Sequence, residues 1–147
     1  MSTSSASGQC LCGAISFTAR MPPKWVDHCH CTRCQRAHGA AFVTWVGVEA
    51  DAATIDDPQA LLKWFSNPAG GDRGFCSNCG SSLFFKSLRW PSELHIARAL
   101  FNEPFDYAPE VHSCYDTHVD WFTVTDDLPK ESDAGETLPR AHRPAAA

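Results

Sequence analysis

The stretch "FCSNCGSS" at residues 75–82 decides the fold. Two residues separate Cys76 from Cys79, and Gly80 follows directly. A C-x-x-C segment can turn around a metal ion and hold its two sulfurs within ~4 Å of each other, as tetrahedral zinc requires. A glycine after the second cysteine supplies the positive φ angle that a tight turn beneath a metal needs. The stretch therefore predicts one half of a zinc site, whose other ligands come from elsewhere in the chain.

The matching half is "QCLCGA" at residues 9–14, where Gly13 again follows the second cysteine. An extended C-x-C segment places the sulfurs of Cys10 and Cys12 on the same side of the chain. Two such pairs make a closed four-thiolate site, which is the structural type of zinc site. It would join the first strand to a distant hairpin and act as a folding nucleus. The open alternative is that Cys10 and Cys12 are buried free thiols beside an unrelated turn.

A second cluster lies in "DHCHCTRCQRAHG" at residues 27–39, which contains Cys29, Cys31 and Cys34. If this segment begins in an extended conformation, Cys29 and Cys31 share one face and the neighbouring histidines, His28 and His30, take the other. Three protein ligands with one exchangeable position are the arrangement of a catalytic zinc site. This cluster therefore predicts an open site.

The alternative for the second cluster is another structural site, closed by a distant fourth ligand. A cysteine outside any spacing motif is more often an inert buried thiol than a ligand. The residues that could close the site are Cys114, His112, His118 and His38.

Composition narrows the class of protein. The chain has 147 residues, 44% of them apolar, a net charge of −5 and no long apolar run. The negative net charge disfavours a nucleic-acid partner or a polybasic membrane anchor, because both need concentrated positive charge. The absence of a long apolar run disfavours a membrane span. Seven of the eight cysteines fall in tight clusters and no secretory signal is visible, which favours metal thiolates over disulfides. We therefore expect a cytoplasmic protein.

The pattern along the chain predicts a mostly β fold of short antiparallel strands. The runs of β-branched and aromatic residues that predict strands are "AISFTA", "FVTWVGV", "LLKWFS", "SLFFK", "ELHIA" and "DWFTV". No long segment has a convincing helical period with caps, and "EADAATIDDPQ" is interpreted as a loop or a single helical turn. We expect a disordered N-terminus over residues 1–8, a single zinc-binding β domain over residues 9–125, and a disordered tail over residues 126–147.

Four motifs together resemble the glutathione-dependent formaldehyde-activating enzymes, a family that also includes centromere protein V. The motifs span about residues 8 to 122: "GQCLCGAISF", "CHCTRCQRAHGAAF", "RGFCSNCGSSLFF" and "VHSCYDTHVDWF". The resemblance implies a β-tent fold organised around two zinc ions. It implies that Cys10, Cys12, Cys76 and Cys79 bind the structural zinc, and that Cys29, Cys31 and Cys34 bind the catalytic zinc. Arg73, Gly80, His112 and Trp121 also match residue types that are usual in the family.

The activity implied by the resemblance is that of a carbon–sulfur lyase of the S-(hydroxymethyl)glutathione synthase type. The thiol of glutathione would take the open zinc position as a thiolate and add to the carbonyl carbon of formaldehyde or a related aldehyde. Arg33 and Arg36 are the nearest cations for the carboxylates of glutathione, and His112 is a candidate proton carrier. The family's usual pair of arginines after the third cysteine is replaced by Gln35 and Arg36.

Two other functions fit the same residues. The chain could be a non-catalytic, zinc-stabilised binding module, for which its acidic balance favours a partner other than nucleic acid. It could also be a thiol redox sensor that uses Cys29, Cys31 and Cys34.

Overall fold

The computed structural model describes residues 4–68 and 71–132, and the chain in it divides into two compact units. Unit 1 comprises Met1–Val26 and Thr44–Pro109, and unit 2 comprises Asp27–Val43 and Glu110–Ala147. The strands of the described residues fall into two sheets, so the predicted mostly β fold is confirmed. The expectation of a single domain over residues 9–125 stays a prediction.

Unit 1 consists of antiparallel ladders. One sheet has the order β1-β2-β5, and the other strands of the unit follow one another in the order β4-β9-β8-β7-β6. Strand β3 begins in unit 1 and ends in unit 2. The strands are β1 Ser5–Gln9, β2 Ser16–Arg20, β3 Trp25–Cys29, β4 Val43–Glu49, β5 Ala53–Asp56, β6 Leu62–Asn67, β7 Gly71–Cys76, β8 Ser82–Lys86 and β9 Glu93–Ala97.

The core of unit 1 follows from the two-residue alternation of its strands. Ile15 and Phe17 were predicted on one face, and both are fully buried. The ring of Phe17 contacts the rings of Phe84 and Phe101 edge to face, with centroids 5.8 and 5.0 Å apart. Each large apolar side chain buried in this way contributes ~1.5–3 kcal/mol to folding. The first sheet is thereby held by packing as well as by its hydrogen bonds.

A second packed group in unit 1 surrounds the buried imidazole of His95. The rings of Trp25, Trp45, Phe85 and Trp90 lie against it, with centroids 4.6 to 6.5 Å away. His95 Nε2 lies 3.0 Å from a carboxylate oxygen of Glu93, and Glu93 also pairs with Lys24 at 2.7 Å. Glu93, the first residue of the same strand, thus satisfies the hydrogen-bonding potential of the buried His95 ring.

The surroundings of His95 predict a loss of stability in mild acid. Burial lowers the pKa of His95 below its ordinary value of 6.5, so the unfolded chain binds a proton at pH values where the folded chain does not. Stability from this group is therefore present above pH 6.5 and is lost as the pH falls. We expect His95→Phe, which keeps an aromatic ring, to lose less stability than the parent protein between pH 7.5 and 5 in denaturant titrations. Equal losses in the two proteins would contradict this assignment, and loss of metal in acid is common to both.

Unit 2 is built on the end of β3. The two-residue strand β10, His112–Ser113, pairs with it in parallel, matching His112 with His28 and Ser113 with Cys29. A short helix, α1, runs over Thr32–His38. Cys31 caps its N-terminus, because the Cys31 sulfur accepts a hydrogen bond from the backbone N–H of Cys34 at 3.2 Å.

Four local predictions are wrong. Residues Thr32–His38 form a helix where none was predicted, and Ala53–Asp56 form a strand inside a segment interpreted as a loop or single turn. The segment "DWFTV" at residues 120–124 is not a strand. Strand β1 starts at Ser5, so the predicted disordered N-terminus is wrong from that residue on, and residues 1–3 lie outside the described residues.

The boundary of the predicted tail is also wrong. Residues 126–132 are ordered against unit 2: the N–H of His112 donates to the carbonyl of Pro129 at 2.9 Å, and the N–H of Tyr115 donates to that of Glu131 at 2.7 Å. The prediction was based on low apolar content, but this segment is held by backbone hydrogen bonds, which composition does not report. The remainder of the predicted tail, residues 133–147, lies outside the described residues.

The helices of the described residues are short, and none has the length and apolar character needed to cross a bilayer. This agrees with the absence of a long apolar run in the sequence.

Candidate metal centres

The first cluster brings together the four cysteines predicted from the two pairs. The Sγ atoms of Cys10, Cys12, Cys76 and Cys79, all in unit 1, lie within 4.8 Å of one another. The sulfur of Cys12 is 3.6 Å from that of Cys10 and 3.8 Å from that of Cys76. Tetrahedral zinc with bonds of ~2.3 Å places its sulfurs ~3.8 Å apart. This four-thiol cluster therefore has the donor set and the spacing of a structural zinc site.

Two backbone turns hold the four-thiol cluster. Gly13 and Gly80 have φ angles of 80° and 79°, which confirms the predicted need for glycine after each pair. The N–H of Gly13 donates to the carbonyl of Cys10, and the N–H of Gly80 donates to the carbonyl of Cys76. Each turn brings the two sulfurs of its pair within 4.8 Å of each other, close enough to bind one metal ion.

Ser81 links the two turns of the four-thiol cluster. Its hydroxyl accepts from the backbone N–H of Leu11 at 2.9 Å and lies 3.2 Å from the sulfur of Cys79. Hydrogen bonds from the Ser81 side chain and backbone lower the pKa of Cys79 to about 5. The thiolate, which is the form that binds metals, is thus favoured at neutral pH.

The second cluster lies wholly in unit 2. The Sγ atoms of Cys29, Cys31 and Cys34 lie within 4.8 Å of one another and form what we call the triplet cluster. Cys29 and Cys34 are buried, whereas Cys31 is half-buried. The last residues of β3 and the first turn of α1 bring these three sulfurs together.

A fourth thiol, that of Cys114, contacts the triplet cluster. Hydrogen bonds from the thiols of Cys114, Cys29 and Cys34 lower the pKa of Cys31 far below its usual range. The contact with Cys114 is also the largest cause of the raised pKa of Cys29. These contacts favour the thiolate form of Cys31 and the thiol form of Cys29.

The neighbouring histidines, His28 and His30, both lie against the ring of His112. His30 Nε2 is 2.8 Å from His112 Nδ1, and His112 Nε2 is 3.0 Å from both carboxylate oxygens of Asp126. His28 stacks on His112, with ring centroids 4.9 Å apart. Both nitrogens of His112 are thus occupied, which removes it from the candidates for a fourth metal ligand.

The direction of this hydrogen-bond chain follows from Asp126. The hydrogen bond from His112 lowers the pKa of Asp126, so the carboxylate is ionised and can only accept. Burial lowers the pKa of His30 to about 4, which keeps that ring neutral. If the His112 ring carries the one proton that it donates to Asp126, its Nδ1 accepts from His30 Nε2–H. The remaining nitrogen, His30 Nδ1, is then a buried acceptor with no hydrogen-bond partner in the described part of the chain.

Removing the Asp126 carboxylate should free the His112 ring to change its tautomer. In the parent protein we expect both His30 and His112 to carry their proton on Nε2, as measured by long-range ¹H–¹⁵N spectra of the histidine rings. In Asp126→Ala, His112 loses its acceptor and should interconvert between its two neutral tautomers. The matched control is Asp127→Ala, which changes an exposed neighbouring carboxylate and should leave both rings as they are. Unaltered ring spectra in Asp126→Ala would show that the carboxylate does not set the tautomer.

Sequence reasoning missed Asp27, which lies one alternation before Cys29 on the same face of β3. Its Oδ2 accepts from the hydroxyl of Ser113 at 2.7 Å, and its Oδ1 is buried with no hydrogen-bond partner among residues 4–68 and 71–132. Burial raises the pKa of Asp27 to about 7. The alternation that paired Cys29 with Cys31 could have identified this carboxyl as well.

The predicted cations and the other family positions are distributed between the units. Arg33 and Arg36 lie on α1 in unit 2, half-buried and exposed respectively. Arg73 belongs to unit 1, where its guanidinium lies 4.8 Å from the centre of the Phe85 ring. Trp121 is exposed.

Gln35, the departure from the usual arginine pair, has a structural role. Its amide nitrogen donates to the carbonyls of His30 and Thr117, at 2.7 and 3.0 Å. It thereby joins α1 to both segments of chain that carry the triplet cluster and its histidines.

Comparison with known proteins places these sites in context. A family profile described as glutathione-dependent formaldehyde-activating enzyme matches residues 5–117, which include all seven cysteines of the two clusters. A protein of Halomonas elongata, provisionally named as such an enzyme, is 29% identical over 126 residues, covering 80% of this chain and 79% of its own.

Two further relatives are more distant. A protein of Schizosaccharomyces pombe, named an uncharacterized lyase, is 24% identical over 115 residues, covering 78% of this chain and 82% of its own. A crystal structure of a Rhodobacter sphaeroides protein matches with a TM-score of 0.58 at 17% identity, covering 84% of this chain and 98% of that protein. The latter likeness concerns the fold alone.

Proposed function

Since the chain belongs to the glutathione-dependent formaldehyde-activating enzyme family, we propose that it is a zinc-dependent carbon–sulfur lyase. Its substrates would be glutathione and formaldehyde, which it joins as S-hydroxymethylglutathione and separates again in reverse. The names of the Halomonas and Schizosaccharomyces relatives, an enzyme of this type and a lyase, support the proposal. The thiol ligands require a reducing compartment, which we take to be the cytoplasm.

The observation that carries the proposal is the triplet cluster. Three sulfurs within 4.8 Å of one another, supplied by six consecutive residues, fit zinc and leave one tetrahedral position for another ligand. Zinc bound there would supply a site where a substrate thiol loses its proton and becomes a thiolate nucleophile. The four-thiol cluster in unit 1 has all its ligands from the protein, so we assign it a structural role.

The reaction needs no oxidant or reductant. In the forward direction the sulfur of glutathione forms a bond to the carbonyl carbon of formaldehyde. The π bond of the carbonyl group breaks, and the carbon–oxygen single bond remains. The thiol proton of glutathione is delivered to the oxygen, which becomes the hydroxyl of the product. The reverse reaction breaks the carbon–sulfur bond and returns the proton to sulfur.

Residues of unit 2 can serve these steps. The carboxyl group of Asp27, whose Oδ1 has no hydrogen-bond partner among the described residues, would give or take the proton at the substrate oxygen. Arg33 and Arg36 on α1 are the cations nearest in sequence to the cluster and can pair with the carboxylates of glutathione. The hydrogen bonds that join His30, His112 and Asp126 fix the orientation of the two imidazole rings.

The proposal is tested by magnetisation exchange between ¹³C-formaldehyde and its glutathione adduct. Because the reaction also proceeds without an enzyme, the rate is compared with that in buffer alone at the same concentrations. We expect zinc-loaded protein to accelerate exchange with glutathione and to have a smaller effect with 2-mercaptoethanol, which lacks the two carboxylates. Exchange no faster than in buffer would contradict the lyase.

The same samples separate the two other functions. A zinc-stabilised binding module would bind glutathione or a protein partner without accelerating exchange. A thiol redox sensor would instead be purified with the triplet cysteines oxidised and without metal beside them, which mass spectrometry under non-reducing conditions detects.

A further inference from the structure

Cys114 is held against the triplet cluster by its place next to β10. The preceding residue, Ser113, pairs with Cys29 in the parallel ladder, and the N–H of His30 donates to the Ser113 carbonyl at 2.9 Å. The Cys114 side chain is buried and hydrogen-bonds to the thiols of Cys29 and Cys31. Four sulfurs, rather than three, therefore meet in unit 2.

The backbone of Cys114 adopts a conformation that residues with side chains use rarely. Its φ and ψ angles are 54° and 37°, in the left-handed region. Thr117 holds this turn, because both its N–H and its hydroxyl lie 3.2 Å from the Cys114 carbonyl. Such conformations persist where the surroundings enforce them, and they are concentrated at functional sites. Here the turn directs a thiol toward the other three.

Cys114 is less closely grouped with the triplet sulfurs than those three are with one another. Cys29, Cys31 and Cys34 lie within 4.8 Å of one another, and Cys114 is not part of that set, although it contacts two of its members. A sulfur that is near but not fully in place suits a ligand that binds and leaves. The three others come from one segment, which comprises the end of β3, the N-cap residue of α1 and its first turn.

We infer that Cys114 is the fourth thiol ligand of the triplet site, that it closes the metal position at rest, and that a substrate thiol displaces it. The entering thiol is glutathione if the proposed function holds, and the inference rests on that function for this identity alone. The competing candidates are less well placed: both ring nitrogens of His112 are occupied, and His118 Nδ1 lies 2.6 Å from the carbonyl of Tyr115.

The exchange balances without a further reactant. Glutathione enters as a thiol and becomes a thiolate, and Cys114 leaves as a thiolate and becomes a thiol. The proton lost by one sulfur is taken up by the other, and the number of thiolates around the metal stays the same. The site would therefore be protected from other ligands until a thiol arrives.

The experiment counts thiolates in the full-length protein. Zinc is kept in the four-thiol cluster, and the more labile ion of the triplet site is replaced with Co²⁺, whose charge-transfer absorption grows with the number of bound thiolates. We expect Cys114→Ser to lower this absorption by about one quarter, the share of one ligand in a set of four. Cys114→Gly, which relieves the left-handed backbone, should lower it equally, and this separates loss of the sulfur from strain in the turn.

Addition of glutathione then tests the displacement. In the parent protein the absorption should stay constant, because one thiolate replaces another. In Cys114→Ser it should rise by about one third, because a fourth thiolate joins three. Pulse alkylation with mass spectrometry, which needs no variant, should label Cys114 in the parent only when glutathione is present.

Each contrary result has a distinct meaning. Absorption that does not change in Cys114→Ser, or alkylation of Cys114 without glutathione while the metal remains bound, would overturn the inference. If glutathione still raises the absorption of the parent in that case, the proposed function stands. Four thiolates in a parent protein whose Cys114 stays unlabelled when glutathione is present, with no rise in absorption in Cys114→Ser, would overturn both the displacement and the proposed function.

Discussion

Cys79→Ser should give insoluble or unfolded protein. The change replaces a thiolate by a hydroxyl, a poor zinc ligand, in the cluster that joins the chain near residue 10 to the turn after β7. Structural zinc supplies ~10 kcal/mol or more of apparent folding free energy in small domains, and whole domains are stable by only ~5–15 kcal/mol. Loss of one ligand should therefore consume most of the available stability. Soluble yield, circular dichroism and zinc content measure the outcome.

Cys34→Ser, the same change in the triplet cluster, serves as the matched control for Cys79→Ser. If Cys79→Ser stays folded with two zinc ions per chain, the four-thiol cluster is not the structural site. If it folds with one zinc ion and melts near the parent temperature, the metal is present there but contributes little to stability.

Cys34→Ser should remain folded and lose function. The three cysteines of its cluster come from one segment, the end of β3 and the first turn of α1, and β10 next to Cys114 is held to β3 by its own ladder, so the fold depends less on this metal. We expect about one zinc ion per chain after mild chelation, retained by the four-thiol cluster. Glutathione binding by calorimetry should fall below detection, and the acceleration of formaldehyde exchange should be lost.

Two results would contradict the role of Cys34. If Cys34→Ser unfolds as completely as Cys79→Ser, the triplet cluster is a second structural site and the lyase proposal fails. If it folds and binds glutathione as tightly as the parent protein, the substrate thiol does not bind the metal held by that cluster.

Sequence reasoning succeeded where structure is determined by neighbouring residues. The spacing of Cys76, Cys79 and Gly80 describes a turn that forms within five residues, and the structure contains it. The alternation in β2 and β3 likewise placed Phe17 in the core and Cys29 beside Cys31. Such features depend on backbone geometry over a few residues, which the sequence states directly.

Helix α1 was missed for a physical reason. It has seven residues, too few for a hydrophobic period, and it is capped by the sulfur of Cys31 rather than by an ordinary capping residue. A pattern search based on period and on serine, threonine or aspartate caps does not detect such a helix.

The other omissions depend on contacts between distant parts of the chain. Cys114 was one of four candidates to close the triplet site, and the sequence could not choose among them, because Cys114 reaches the triplet only through the pairing of Ser113 with Cys29. The segment that includes Asp126 looks disordered by composition but is held by His112. No local pattern reports a backbone ladder of two residues or a single carboxylate that meets a buried imidazole. The sequence therefore identified the two cysteine clusters better than the groups around them.

The hydrogen bond between His112 and Asp126 has a practical consequence for the choice of recombinant fragments. The family profile ends at residue 117, whereas the carboxylate that accepts from His112 comes nine residues later. A fragment cut at the end of the profile would keep every cysteine ligand and lose the acceptor for the buried imidazole, together with the backbone partners of His112 and Tyr115 near residue 130. Fragments of this protein intended for assays should therefore extend at least to residue 132.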